Sequence, residues 1–167
     1  RRDPIYVRGL RPDVRDAVVH GLSGEFAFRF STNAQGLRCD RDLVSPKPAG
    51  RVRCLVVGDS VTFGYGVDQG ETFSDHAGRA LDPSGDRVEV INAGFASGYT
   101  FDTEFLFARE VAASWQPDVV VVGICLSNDL SDLDTTRWNI ADGRFVSAKK
   151  RNDWVPLWVK KSALVNL

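Results

Sequence analysis

Three apolar runs constrain what this chain can fold into. Val52 to Val57, Val88 to Ile91 and Asp118 to Ile124 are strand-sized and lack polar alternation. A strand apolar on both sides belongs to a sheet covered on both faces. Two helical patterns lie between the runs. Thr72 to Leu81 places Phe73, Ala77, Ala80 and Leu81 on one face, with Thr72 as N-cap. Asp102 to Trp115 repeats apolar residues at Phe105, Leu106, Ala108, Ala112 and Trp115. Pro83 to Gly85 ends the first helix and Pro117 the second. Strands alternating with helices predict an α/β domain on a parallel sheet, with Asp118 to Ile124 a fully buried strand.

Upstream of this pattern, Pro12 to Leu22 reads as a short helix. Phe26, Phe28 and Phe30 alternate with Ala27 and Arg29, which predicts a strand. Asn33 to Arg38 reads as a turn, with Arg38 anchoring the N-terminal arm. Residues 40–50, with Pro46, Pro48 and Gly50, read as a linker. Residues 1–50 are therefore expected to form an N-terminal extension packing on a domain that occupies 51–167. Downstream, Ala141 to Arg144 reads as a turn, and Trp154 to Leu167 as an amphipathic segment interrupted at Pro156.

Composition narrows the partners. A chain of 167 residues suffices for one domain with its own core. A net charge of −1 gives no electrostatic reason for nucleic acid or an anionic membrane. No apolar run approaches the ~20 residues of a membrane span. The three cysteines, Cys39, Cys54 and Cys125, are odd in number and lack CxxC spacing, so neither a disulfide framework nor a zinc site is expected. Cys54 and Cys125 read as small buried hydrophobes. The sequence contains no Met, so it is expected to be a processed product or a fragment.

The three strand ends carry the chemistry. The first supplies Gly58, Asp59 and Ser60. The second supplies Asn92-Ala93-Gly94-Phe95-Ala96-Ser97-Gly98, and the third Ser127-Asn128-Asp129. In a parallel sheet these ends share one edge, where ligands bind. A serine attacking a carbonyl needs a base and donors aimed at the developing negative charge. The N–H of Ser60, an N–H of the Gly94–Gly98 loop and the Asn128 amide are candidates for those donors. Gly64 and Gly66 do not make a phosphate loop, because no Gly-Lys-Ser/Thr follows.

From about Arg51 to Leu130, these blocks resemble the SGNH (GDSL-type) hydrolase family, in GDS at 58–60, NAGFASG at 92–98 and SNDL at 127–130. The resemblance implies a flavodoxin-like three-layer α/β/α sandwich and a serine esterase or O-acyltransferase without metal or organic cofactor. Its substrate would be a small acyl ester, such as acetyl on a carbohydrate or lipid. The resemblance makes Ser60 the nucleophile and one hole donor. Gly98 and Asn128 complete the hole, with Gly94 the alternative glycine. Asp59 and Asp129 support, Asp59 as a structural hydrogen-bonding residue rather than a triad acid. Gly98 stands one place further from Asn92 than the family spacing, and Ser127 replaces the family's Gly.

The family's Asp-x-x-His element has no counterpart among these residues. His20 and His76 are the chain's two histidines, and neither stands in such a context. The family's fourth and fifth strands are also unaccounted for. The chain is therefore expected to be the front part of a longer protein, inactive by itself, with its base outside this segment. The segment Trp154 to Leu167 and the lead-in FRFSTNAQGLR resemble parts of envelope-associated relatives, which implies an extracytoplasmic location. The competing expectation is a binding or scaffolding module that keeps the fold without catalysis.

Overall fold

A three-stranded parallel sheet organises the protein. The computed structural model describes residues 10–21, 23–95, 101–127, 138–141 and 144–147. In chain order the elements are β1 (Ala17–His20), β2 (Ala27–Phe30), β3 (Val52–Gly58), α1 (Ser60–Phe63), α2 (Phe73–Leu81), β4 (Val88–Gly94), α3 (Phe101–Trp115), β5 (Val119–Gly123), β6 (Trp138–Ala141) and β7 (Arg144–Ser147). The sheet order is β4-β3-β5, all parallel, while β1-β2 and β6-β7 are separate antiparallel pairs. The molecule is thus mixed α/β, as the alternation of apolar runs predicts.

The two faces of the sheet have different covers. Leu55 and Val57 of β3 and Ile91 and Ala93 of β4 share a core cluster with Phe107 and Val111 of α3. The cluster also contains Leu10, Phe28, Phe30, Leu37 and Leu43, so the first fifty residues contribute to the same core. On the opposite face of β4, which the next residue along a strand presents, Val90 lies against α2 at Gly78; a Cβ there would stand 3.6 Å from Val90. A capping box starts α2, with Thr72 and Asp75 bonding each other's backbone N–H.

Several expectations need correcting. Pro12 to Leu22 is not a helix. Asp13 and Asp16 adopt φ of 57° and 49°, left-handed values that interrupt any right-handed helix. The β-branched pair Val18 and Val19 then extends as β1, in register with β2 from Ala17↔Phe30 to His20↔Ala27. The strand reading of the Phe26–Phe30 segment holds, with Phe28 and Phe30 buried and Ala27 and Arg29 outside.

Strand β5 is not fully buried. Val119 to Val122 are between 41% and 49% exposed, because β5 pairs with β3 along one edge and among the described residues no strand pairs with its other edge. Cys54 and Cys125 are half-buried rather than buried. The apolar face of α2 differs from the pattern, and that of α3 differs in part, since Leu106, Ala108 and Trp115 do turn toward the core. In α2, Phe73, Ala80 and Leu81 are exposed and Ser74 is buried. In α3, Leu106, Phe107 and Val111 turn inward, whereas Phe105 is 64% exposed beneath the Arg109 guanidinium.

The 40–50 linker is irregular but docked. Leu43 is buried, Ser45 Oγ donates to Ser114 O, and Val44 O accepts from Arg53. Arg53 itself is fully buried in β3. Its guanidinium bonds Glu89 at 2.7 Å and the carbonyls of Trp115 and Val44 at 2.6 and 3.0 Å. A buried charge is tolerated only when its donors are met in this way. The segment Trp154 to Leu167 and residues 142–143 of the expected turn lie outside the described residues. The flanks of that turn pair as Ala141↔Arg144.

Candidate functional site

Three glycines at one register position make a floor at the C-terminal edge of the sheet. Gly58 pairs with Gly94 on one side and Gly123 on the other. The one-turn helix α1 rests directly on them. A Cβ on Gly94 would stand 2.2 Å from Phe63 N, and one on either Gly58 or Gly123 would stand 2.1 Å from Thr62 Oγ1. No larger residue leaves α1 room at this height.

Asp59 starts α1 as its N-cap. Its Oδ1 accepts from Val61 N at 2.9 Å, and its carbonyl accepts from Phe63 N at 2.9 Å. Ser60 is therefore the first residue of the turn, half-buried at the sheet edge where the three parallel strands end. Its carbonyl accepts from Gly64 N at 3.1 Å and Tyr65 N at 3.0 Å. Gly64 closes the turn in a left-handed conformation, φ 84°, which glycine adopts without strain.

Two side chains from elsewhere hold the far end of the turn. Asn92 of β4 is buried; its Nδ2 donates to Thr62 O at 3.0 Å and Phe63 O at 3.5 Å, while its Oδ1 accepts from Gly94 N at 3.0 Å. Arg38 reaches in from the N-terminal arm and donates to Phe63 O at 2.9 Å, Gly64 O at 2.7 Å and Val67 O. Burial pushes its pKa below the ordinary guanidinium value, against the opposing pull of Asp75 and Asp68. The sequence offers no separate signal for these two uses, although Asn92 opens the second block.

The expected site residues divide into two groups. Ser60, Asp59 and Gly94 meet at the sheet edge. Gly98, Asn128 and Asp129 lie outside the described residues. Gly94 acts as a packing position, and its N–H is given to Asn92. Asp59 is a cap, in keeping with a structural role. His20 is exposed on β1. His76 is exposed on α2, bonding Glu71 and Arg79 at 3.1 Å each.

Burial raises the thiol pKa of Cys39 and Cys54 above the ordinary value, so neither is poised as a thiolate. Among the described residues no cluster of three His, Cys, Asp or Glu side chains is placed to hold a metal ion. Nor is any described helix long and apolar enough to cross a membrane. Comparison of the chain with protein-family models, curated proteins and solved structures yields no match.

Proposed function

We propose that this chain carries the nucleophile half of an SGNH-type serine hydrolase or O-acyltransferase built on a flavodoxin-like three-layer sandwich. One observation carries the reading: Ser60 opens a turn tied by hydrogen bonds and close glycine packing to the C-terminal end of a central parallel strand, with Gly94 and Gly123 beside it. That supports a serine backbone held at the edge where open α/β sheets bind ligands. The order of the three sequence blocks adds to it.

In this reading Ser60 Oγ attacks the carbonyl of a small acyl ester, such as acetyl on a carbohydrate or lipid. Ser60 N–H, Gly98 N–H and the Asn128 amide stabilise the oxyanion. The Ser60 proton passes to an imidazole that neither His20 nor His76 supplies. The intermediate collapses to an acyl-serine and releases the alcohol. Water or an acceptor hydroxyl then takes the acyl group. No organic cofactor is required. The resemblance to envelope-associated relatives favours an extracytoplasmic setting.

Hydrolysis of an acetyl ester by the full-length protein tests the reading. Ser60→Ala is expected to lower kcat/KM by about 10³-fold or more. Undiminished turnover in the variant overturns it.

A further inference from the structure

We propose that Arg38 is a positioning residue for Ser60, which makes the N-terminal arm a working part of the site. The inference rests on the hydrolase reading for its catalytic consequence. The clamp itself is tested independently of that reading.

A turn of four residues, Ser60–Phe63, cannot hold itself. Helix formation is cooperative, and short helices are marginal without outside contacts. The last carbonyls of any helix also lack partners within it. Here one guanidinium serves Phe63 O and Gly64 O through Nη1 and Val67 O through Nη2, with Nε 3.4 Å from Gln69 Oε1. These acceptors span the turn and the loop that follows it. A lysine ammonium could approach one or two of them, but it lacks the planar fork that meets three at once.

Arg38 is itself fixed. It is 3% exposed, and its guanidinium carbon stands 5.6 Å from the ring centres of Phe28 and Phe30 and 5.0 Å from that of Phe63. Such cation–π contacts strengthen as water is excluded. Phe28 and Phe30 belong to β2, so the hairpin holds Arg38 and Arg38 holds the turn. Among the described residues no carboxylate takes a hydrogen bond from the guanidinium; its donors go to the nucleophile turn and loop, and to Gln69.

Hydrogen–deuterium exchange and fluorophosphonate labelling of the full-length protein test the proposal, on wild type, Arg38→Lys and Gln69→Ala. Arg38→Lys should speed exchange at the Gly64, Tyr65 and Val67 amides at least tenfold, while the β3 and β4 amides stay as in wild type. It should slow labelling of Ser60 at least tenfold per folded molecule. Gln69→Ala leaves Arg38 in place with one partner fewer, so it should move both readouts in the same direction by less. It also keeps the proposal testable if Arg38→Lys does not fold. Exchange that rises uniformly, or a Ser60 labelling rate that the substitutions leave unchanged, overturns the proposal. If wild type is not labelled at all, the hydrolase reading fails. Localised exchange then still establishes the clamp, and uniform exchange removes it as well.

Discussion

Arg38 and Asn92 meet at one atom: both donate to the carbonyl oxygen of Phe63, at 2.9 and 3.5 Å. One comes from the N-terminal arm and the other from β4, so the turn that begins at Ser60 is tied to both. Asn92 also bridges to Gly94 N–H, which links the turn to the floor beneath it.

Removing that bridge should be costly. Asn92→Ala leaves Gly94 N–H and Thr62 O without their partner in a buried site, which costs about 1–3 kcal/mol. Asn92→Asp sets an acceptor against two carbonyls and should be worse at pH 7 than at pH 4, where protonation restores a donor. Urea unfolding midpoints at the two pH values check both the loss and its pH dependence.

The glycine floor predicts an order of severity. In Gly94→Ala the new methyl meets backbone at Phe63 N, which cannot swing away, whereas in Gly123→Ala it meets the Thr62 hydroxyl, a side-chain atom. Overpacking of this kind costs about 1–3 kcal/mol. Gly94→Ala should fall at the upper end and Gly123→Ala below it. Thr62→Ala should relieve the Gly123→Ala defect but not the Gly94→Ala one, which a double-mutant cycle by chemical denaturation measures.

Arg53 should contribute strongly to the stability of the fold. Arg53→Met strands Glu89 and leaves the carbonyls of Trp115 and Val44 without their donor. Breaking a buried charge pair from one side costs about 3–5 kcal/mol, and because Glu89 is partly exposed the loss here should fall toward the lower end. Equilibrium unfolding should show that loss, with a smaller one for Glu89→Gln, which keeps a neutral acceptor.

Acid should weaken the fold through two aspartates. Asp82 accepts from the backbone N–H of Val88 and Arg87 and from Ser84 Oγ, which holds its carboxyl well below the usual range. The Lys47 ammonium and Arg53 N–H lower Asp118. A carboxylate depressed in the folded state stabilises it above the unfolded pKa of about 4, and that contribution is lost as pH falls toward the folded value. Stability should therefore be flat near neutrality and decline from about pH 4 downward. Asp82→Asn should be less stable than wild type at pH 7 and lose less on acidification, as read from urea midpoints across that range.

Much of the sheet was legible because its strands carry apolar runs that close on Gly58, Gly94 and Gly123. Those glycines stand at strand ends in the sequence and fall at one register position in space. Thr72 was legible as a cap for the same local reason. What covers a strand was not. Four consecutive valines in β5 state that both faces are apolar, without stating what lies beside them. The inward face of α3 was read correctly at Leu106, Ala108 and Trp115 but misplaced at Phe105, because Phe105 and Phe107 are equally apolar and only the position of β3 selects Phe107. At Asp13 and Asp16 the backbone turns left-handed, which residue periodicity does not report. Arg38 could be expected to anchor the arm, but its acceptors are backbone carbonyls, and these have no signature in side-chain sequence.

The central claim is that Ser60 is a nucleophile held in place by its surroundings. Treating the full-length protein with a fluorophosphonate and mapping the adduct by peptide mass spectrometry tests it most directly. The expected result is a single phosphonylated residue, Ser60. An unlabelled full-length protein, or an adduct on a different serine, contradicts the account.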